Sequence, residues 1–263
     1  MDANSSLHKQ KTSPLIKPME AGKISLMGHL IVDWPSVADC AQIVEIMASS
    51  GARVIEVQIP FSEPMADGPV IMAANHGALA AGVSVSRSFE FMKQMTTRYE
   101  LPFIFMTYTN IIFKYGWKKF VEDAVAAGAR GIIVPDLPIE MSSELDEACA
   151  VHRFANIRVI PPNVSDERLE QLCASANGMI YVVARAGVTG AATDFGSEVF
   201  DFVARVRKHT DLPIAVGFGI SKREQVQYLV DHCDLAVIGS QTFREHDLEG
   251  IAGVRTFWNS LNS

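Results

Sequence analysis

The chain has 263 residues, 48% of them hydrophobic and 20% charged, with a formal net charge of −7 at pH 7. Acids and bases are mixed along it, which speaks against a nucleic-acid or anionic-membrane partner, since either would select a basic patch. No run approaches the roughly 20 apolar residues that a membrane span needs, and Cys40, Cys149, Cys173 and Cys233 lack the C-x-x-C spacing of a metal or redox site.

Residues 1–20 are polar and carry lysines without an apolar signal segment. They predict a flexible or loosely helical N-terminal arm in front of one domain over 21–263. A reducing cytoplasm is the expected compartment. From there two patterns alternate. Continuous runs rich in Val and Ile occur at 24–32, 54–60, 102–108, 131–135, 157–161, 179–184, 213–217 and 235–239. Unbroken apolar runs of this length mark parallel strands buried on both faces. Helical periods fill the gaps at 37–50, 117–127, 142–152, 166–176, 199–209 and 223–232. Ser165, Ser197 and Ser221 stand where N-caps are expected. Eight β-then-α units over 21–263 predict a single (β/α)8 TIM barrel. A doubly wound sheet would usually carry a glycine-rich first turn, and Asp33-Trp34-Pro35-Ser36 has no glycine.

In such barrels the chemistry sits on the loops after the strands. Strand 2 carries Glu56 within an apolar run and opens a Pro-, Gly- and acid-rich loop to Asp67. Two carboxylates in unlike settings, one enclosed and one solvated, suit proton transfer, because burial and solvation separate pKa values. The bland alternative is a strand end followed by a solvated acidic loop. After strands 6, 7 and 8 the chain reads Ala186-Gly187-Val188-Thr189-Gly190, Gly217-Phe218-Gly219-Ile220-Ser221 and Gly239-Ser240. Small residues there let backbone N–H groups approach a phosphate without Lys or Arg. His29 within strand 1 is expected to be a satisfied core histidine, and His76 a surface or packing residue.

Four segments in order, Pro60-Phe61-Ser62-Glu63-Pro64-Met65-Ala66-Asp67-Gly68-Pro69, Pro135-Asp136-Leu137-Pro138, Arg185-Ala186-Gly187-Val188-Thr189-Gly190 and Gly217-Phe218-Gly219-Ile220, resemble motifs of the tryptophan synthase α subunit family. The resemblance runs from about residue 24 to near the end of the chain. It implies a (β/α)8 barrel that cleaves indole-3-glycerol phosphate to indole and glyceraldehyde 3-phosphate. It also implies a β-subunit partner in an αββα complex, with pyridoxal phosphate held by that partner and no cofactor or metal in this chain. By the same resemblance Glu56 is the general acid/base and Asp67 the carboxylate facing the indole N–H. Tyr181, Met106 and Ile133 line the indole pocket, and Thr189 helps close the strand-6 loop. Gly190, Gly219 and Ser240 bind phosphate, with Phe218 and Gly239 beside them. Asp136 is expected to bond the strand-2 loop or to cap helix 4, and Tyr108 and Asn110 to serve loop support or an interface.

Departures from the family pattern are Gln58 for a glycine, Glu63 for an aspartate, Met72 for a glutamine and Ala184 for a hydroxyl residue. Leu30-Ile31-Val32-Asp33-Trp34-Pro35 replaces a Thr-x-Gly-Asp-Pro strand end, with one extra residue. Gln58 is expected to crowd the strand-2 site. These changes keep two alternatives open: a weakly active regulatory subunit that binds the ligand and activates a β-type partner, and a different phosphate-handling barrel enzyme such as an isomerase or aldolase.

Overall fold

A computed structural model describes residues 15–17, 19–183, 197–217 and 219–261. Eight parallel strands close in chain order into one barrel: β1 (Ser25–Ile31), β2 (Ala52–Gln58), β3 (Phe103–Met106), β4 (Gly131–Ile133), β5 (Ala155–Ile160), β6 (Ile180–Val183), β7 (Ile214–Gly217) and β8 (Leu235–Ile238). The helices are α1 (Val37–Ser49), α2 (Pro69–Ala80), α3 (Val85–Arg98), α4 (Thr109–Tyr115), α5 (Trp117–Ala126), α6 (Ser143–His152), α7 (Asp166–Ser175), α8 (Ser197–Arg207), α9 (Arg223–Tyr228) and α10 (Ser240–Ser260). This is the (β/α)8 architecture the sequence predicts. Among the described residues, no helix is long and apolar enough to cross a membrane.

Strand side chains divide by parity into two cores. One set, including Leu26, Leu30, Ile55, Val57, Phe103 and Phe105, packs outward under the helices. The other, including Met27, Val54, Ile104, Met106, Ile133, Ile157, Met179, Leu235 and Val237, fills the barrel interior. Both faces are apolar, so the strands read as unbroken runs. Parity also orients the polar side chains among them: His29 is inward with Met27, Glu56 with Val54, and Tyr108 with Ile104 and Met106.

Two helices, α2 and α3, follow β2, and α4 precedes α5; the helical periods read from the sequence include none between strands 2 and 3 and only 117–127 after strand 3. In α2 the buried stripe is Ile71, Ala74, Asn75 and Ala78, in which small and polar residues blur the helical period. Ser165 caps α7 as expected, accepting from Arg168 N at 3.2 Å. Ser197 is instead the first residue of α8, and Ser221 stands two residues ahead of α9, with its N–H donating to Gln225 Oε1 at 2.7 Å.

The segment after residue 14 is more ordered than a loose arm. Ile16 is buried in the inner core, Leu15 N donates to Gly178 O at 3.1 Å, and Met19 N donates to Asp234 Oδ1 at 2.8 Å. These contacts seal the barrel end opposite the strand C-termini. Residues 1–14 lie outside the described set.

The unusual end of strand 1 turns away from the barrel axis. Asp33 is buried and receives Arg87 Nε at 2.5 Å and Nη2 at 3.1 Å from α3. Trp34 precedes a cis proline and packs so tightly on Gly77 of α2 that an added Cβ would sit 2.0 Å from its ring.

Candidate active site

At the strand C-terminal ends lies a hollow of about 700 Å³ of space between atoms, its open mouth included. Its lining includes His29 from β1, Glu56 from β2, Asp67 from the β2–α2 loop, Met106 from β3, Ile133 from β4 and Tyr181 from β6. Gly217 and Gly219 after β7, and Gly239 and Ser240 after β8, complete it. The structure therefore brings Glu56, Asp67, Met106, Ile133, Tyr181, Gly219, Gly239 and Ser240 to one place. Thr189, Gly190 and Phe218 lie outside the described residues, as does Ala184.

Small residues have identifiable jobs here. A Cβ on Gly217 would stand 2.5 Å from Tyr181 Oη, so only glycine lets that ring lie against the end of β7. Gly219 has φ +65°, a conformation glycine adopts without strain. Ser240 opens α10, and Gly239 before it gives no side-chain cap. The first turn of α10, which kinks at Gly250, thus presents N–H groups at the hollow, the usual setting for a bound anion.

The two carboxylates share one environment, which corrects the expectation of a solvated loop acid. Glu56 is 4% exposed and Asp67 is 6% exposed. Burial pushes the Asp67 carboxyl above its ordinary range, while His29, Gln58 and Tyr108 pull it partly back. Both fixed bonds to Asp67 fall on Oδ2: Gln58 Nε2 donates at 2.8 Å and Tyr108 Oη at 2.9 Å. Gln58 is fully buried and does not line the hollow, so the expectation that it crowds the site is overturned. Its amide bends to the loop aspartate instead.

The loop that carries Asp67 is braced from several sides. Ala66 N donates to Tyr108 Oη at 3.3 Å, and the Phe61 and Tyr108 rings stack at 5.0 Å. Asn75 accepts from Phe61 N at 3.0 Å, and His76 Nε2 meets Ser62 O at 2.9 Å. Tyr108 is thus loop support and a direct partner of Asp67, whereas Asn110 is exposed on α4. Asp136 accepts from Thr109 N and Oγ1, both at 2.9 Å, and so fixes the start of α4, the helix after β3, rather than bonding the strand-2 loop or capping the helix after β4. Met72 is exposed and Leu30 is buried in the outer core; neither lines the hollow.

His29 departs most from its expected role. It faces Glu56 in the β1–β2 register, with Nδ1 3.1 Å from Glu56 Oε2 and only 7% of its surface exposed. Burial opposes its charged form, yet the charge and hydrogen bond of Glu56 and the charge of Asp67 lift its pKa above the ordinary histidine value. The sequence carries no local sign of this, because both faces of β1 are apolar and only the structure puts His29 on the inward face with Met27. Burial beside both carboxylates likewise holds the Tyr181 hydroxyl protonated far above neutrality. Among the described residues, no group of three or more His, Cys, Asp or Glu is placed to hold a metal ion.

A closed barrel with two buried carboxylates at the strand C-terminal ends has the build of a barrel enzyme. The family model described as tryptophan synthase alpha chain matches residues 16–252. The tryptophan synthase alpha chain of Desulfotalea psychrophila is 45% identical over 238 residues, covering 90% of this chain and 94% of that one. That of Syntrophotalea carbinolica is 42% identical over the same shares. Among solved structures, Mycobacterium tuberculosis tryptophan synthase superposes with TM-score 0.85 at 30% identity, over 91% of each chain. The Pyrococcus furiosus tryptophan synthase complex gives 0.82 at 28% identity, over 90% of this chain and 97% of that one. The chain belongs to the tryptophan synthase alpha chain family.

Proposed function

We propose that this chain is a carbon–carbon lyase that cleaves indole-3-glycerol phosphate to indole and glyceraldehyde 3-phosphate in tryptophan biosynthesis. The observation that carries the reading is the shared hollow: Glu56 and Asp67 face it from β2 and its loop, and Gly219, Gly239 and Ser240 face it from the β7 and β8 ends. Family membership supplies the substrate.

In the proposed reaction a proton is added to indole C3, converting the ring to a cation with its charge at nitrogen. The bond from C3 to the glycerol carbon then breaks, and its electron pair returns to the ring. The hydroxyl on that carbon loses its proton and becomes the aldehyde. Glu56 is placed to give the first proton and take the second. Asp67, ionised and fixed through Oδ2, opposes the charge on the ring nitrogen, an effect of about 3 kcal/mol in a closed site. Met106, Ile133 and Tyr181 wall the apolar end, and the phosphate lies on the N–H groups of α10. On this reading Thr189, Gly190 and Phe218 complete the loop and phosphate contacts, and the chain uses no cofactor of its own.

A β-type subunit that carries pyridoxal phosphate is the proposed partner, in an αββα assembly. Met65 on the β2–α2 loop, Phe113 on α4 and Met141 after β4 are 83%, 71% and 69% exposed, and they follow three successive strands. Exposed apolar residues that follow successive strands suit a protein interface. The work of such a pair belongs in the cytoplasm. Two of the departures that suggested a weakly active regulatory subunit fit activity, since Gln58 holds Asp67 and Met72 points outward.

Indole release from indole-3-glycerol phosphate, measured with the purified chain alone and with a β-type subunit, tests the proposal. Turnover that disappears in Glu56→Gln is the expected result. Binding and partner activation without turnover in either condition would establish the regulatory subunit instead.

A further inference from the structure

We propose that His29 and Glu56 share one proton and work as a single acid–base unit, with His29 the positioning residue that holds Glu56 and keeps it supplied. This rests on the lyase reading above.

The geometry is specific. Residues 29 and 56 are direct partners across the β1–β2 ladder, so their inward side chains meet without any loop having to order. Nδ1 approaches Oε2 at 3.1 Å, within hydrogen-bond reach. The imidazole edge meets the Phe243 ring at 6.3 Å, and its Cδ2 lies 4.0 Å from where a Cβ on Gly239 would be. Nε2 is buried without a partner among the described residues. The ring's polar bonding is therefore directed to Glu56, and packing on β8 and α10 holds it there.

The charged groups facing His29 are Glu56 on β2 and Asp67 on the β2–α2 loop, and both favour the imidazolium. Tyr181 on β6 also lines the hollow and stays neutral. From β8 and α10, Gly239 and Phe243 contribute no titrating group. An imidazolium beside a carboxylate and a neutral imidazole beside a carboxylic acid are two forms of one protonated pair. Moving the Nδ1 proton to Oε2 arms Glu56. Glu56 then gives that proton to indole C3 and is left as carboxylate beside neutral His29. The glycerol hydroxyl returns a proton to Glu56 as the carbon–carbon bond breaks, and the pair is restored with no net gain or loss. Sharing with the imidazole keeps a proton available to the carboxyl.

The test compares pH profiles of indole release for the parent chain and His29→Phe, which keeps a ring in the site. The parent should lose activity on the alkaline side as the pair deprotonates. His29→Phe should fall by about 100-fold near pH 7.5, with its alkaline limb moved to lower pH, because the imidazole no longer supplies the proton. An unchanged profile in His29→Phe would overturn the inference. Nitrogen-15 NMR of the parent chain gives a readout independent of turnover and of the variant's folding. The His29 midpoint should lie above that of an ordinary histidine and drop in Glu56→Gln. A midpoint at or below the ordinary value, or one that Glu56→Gln leaves in place, also overturns the pairing. Parent protein that releases no indole yet shows the raised midpoint would sink the lyase reading and leave the shared proton standing.

Discussion

Gln58 Nε2 donates to Asp67 Oδ2 at 2.8 Å, so the residue standing where the family pattern has glycine is the tether of the loop carboxylate. Strand β2 thereby holds both ends of the acid pair: Glu56 directly, and Asp67 through a buried amide two residues on. Tyr108, just after β3, bonds the same oxygen, which among the described residues leaves Oδ1 for the ligand.

Restoring glycine at this position is expected to harm this chain. Gln58→Gly removes a hydrogen bond to a charged group and leaves Asp67 with Tyr108 alone. The loss should be about 1–3 kcal/mol of stability and about tenfold in kcat, with phosphate affinity little changed. Urea melts and steady-state indole release measure the two effects. A variant as stable and active as the parent would show that Tyr108 suffices.

Asp67 makes activity and stability pull in opposite directions. Its folded-state pKa is raised, so the native state binds that proton more tightly than the unfolded chain does. The stabilisation is present below the unfolded aspartate pKa and is lost as pH rises through the folded value. At neutral pH the buried carboxylate is therefore a net cost. Asp67→Asn should melt at a higher temperature than the parent at pH 7, and the gap should close on acidification. Its kcat should fall by about 100-fold or more, since a neutral amide cannot oppose charge on the ring nitrogen. Calorimetry across pH, beside the indole assay, checks both halves.

Ser240 separates ligand binding from folding. Ser240→Asp puts a carboxylate at the N-terminus of α10, where the helix dipole favours it by about 0.5 kcal/mol. The same charge occupies and repels the proposed phosphate position. The expected outcome is unchanged or slightly higher stability, with KM for indole-3-glycerol phosphate up by more than about tenfold. Competition by inorganic phosphate should weaken in parallel. Retained affinity would move the phosphate site elsewhere in the hollow.

Much of the architecture was legible because eight Val- and Ile-rich runs separated by helical periods leave few ways to bury both faces of every strand. Glu56 and Asp67 could be singled out as a carboxylate inside an apolar run and a carboxylate beside a Gly-Pro turn. The same property that made the strands visible concealed their parity. A strand apolar on both sides shows no alternation, so nothing local marked His29, Gln58 or Tyr108 as inward. His29 read as core material because a histidine in an apolar run has the same local signature whether or not a carboxylate faces it. Asn75 and His76 were hidden in another way: they brace a loop more than ten residues behind them, through a helix whose period small residues blur.

The order of elements, the chemical types on the strand ends and the motif-bearing loops follow from the chain alone, because they depend on contacts close in sequence. The pairing of His29 with Glu56 and the capture of Asp67 by Gln58 and Tyr108 were decided only by closure of the barrel. Closure sets the stagger between neighbouring strands, and a shift of one residue would turn each of these side chains to the opposite face.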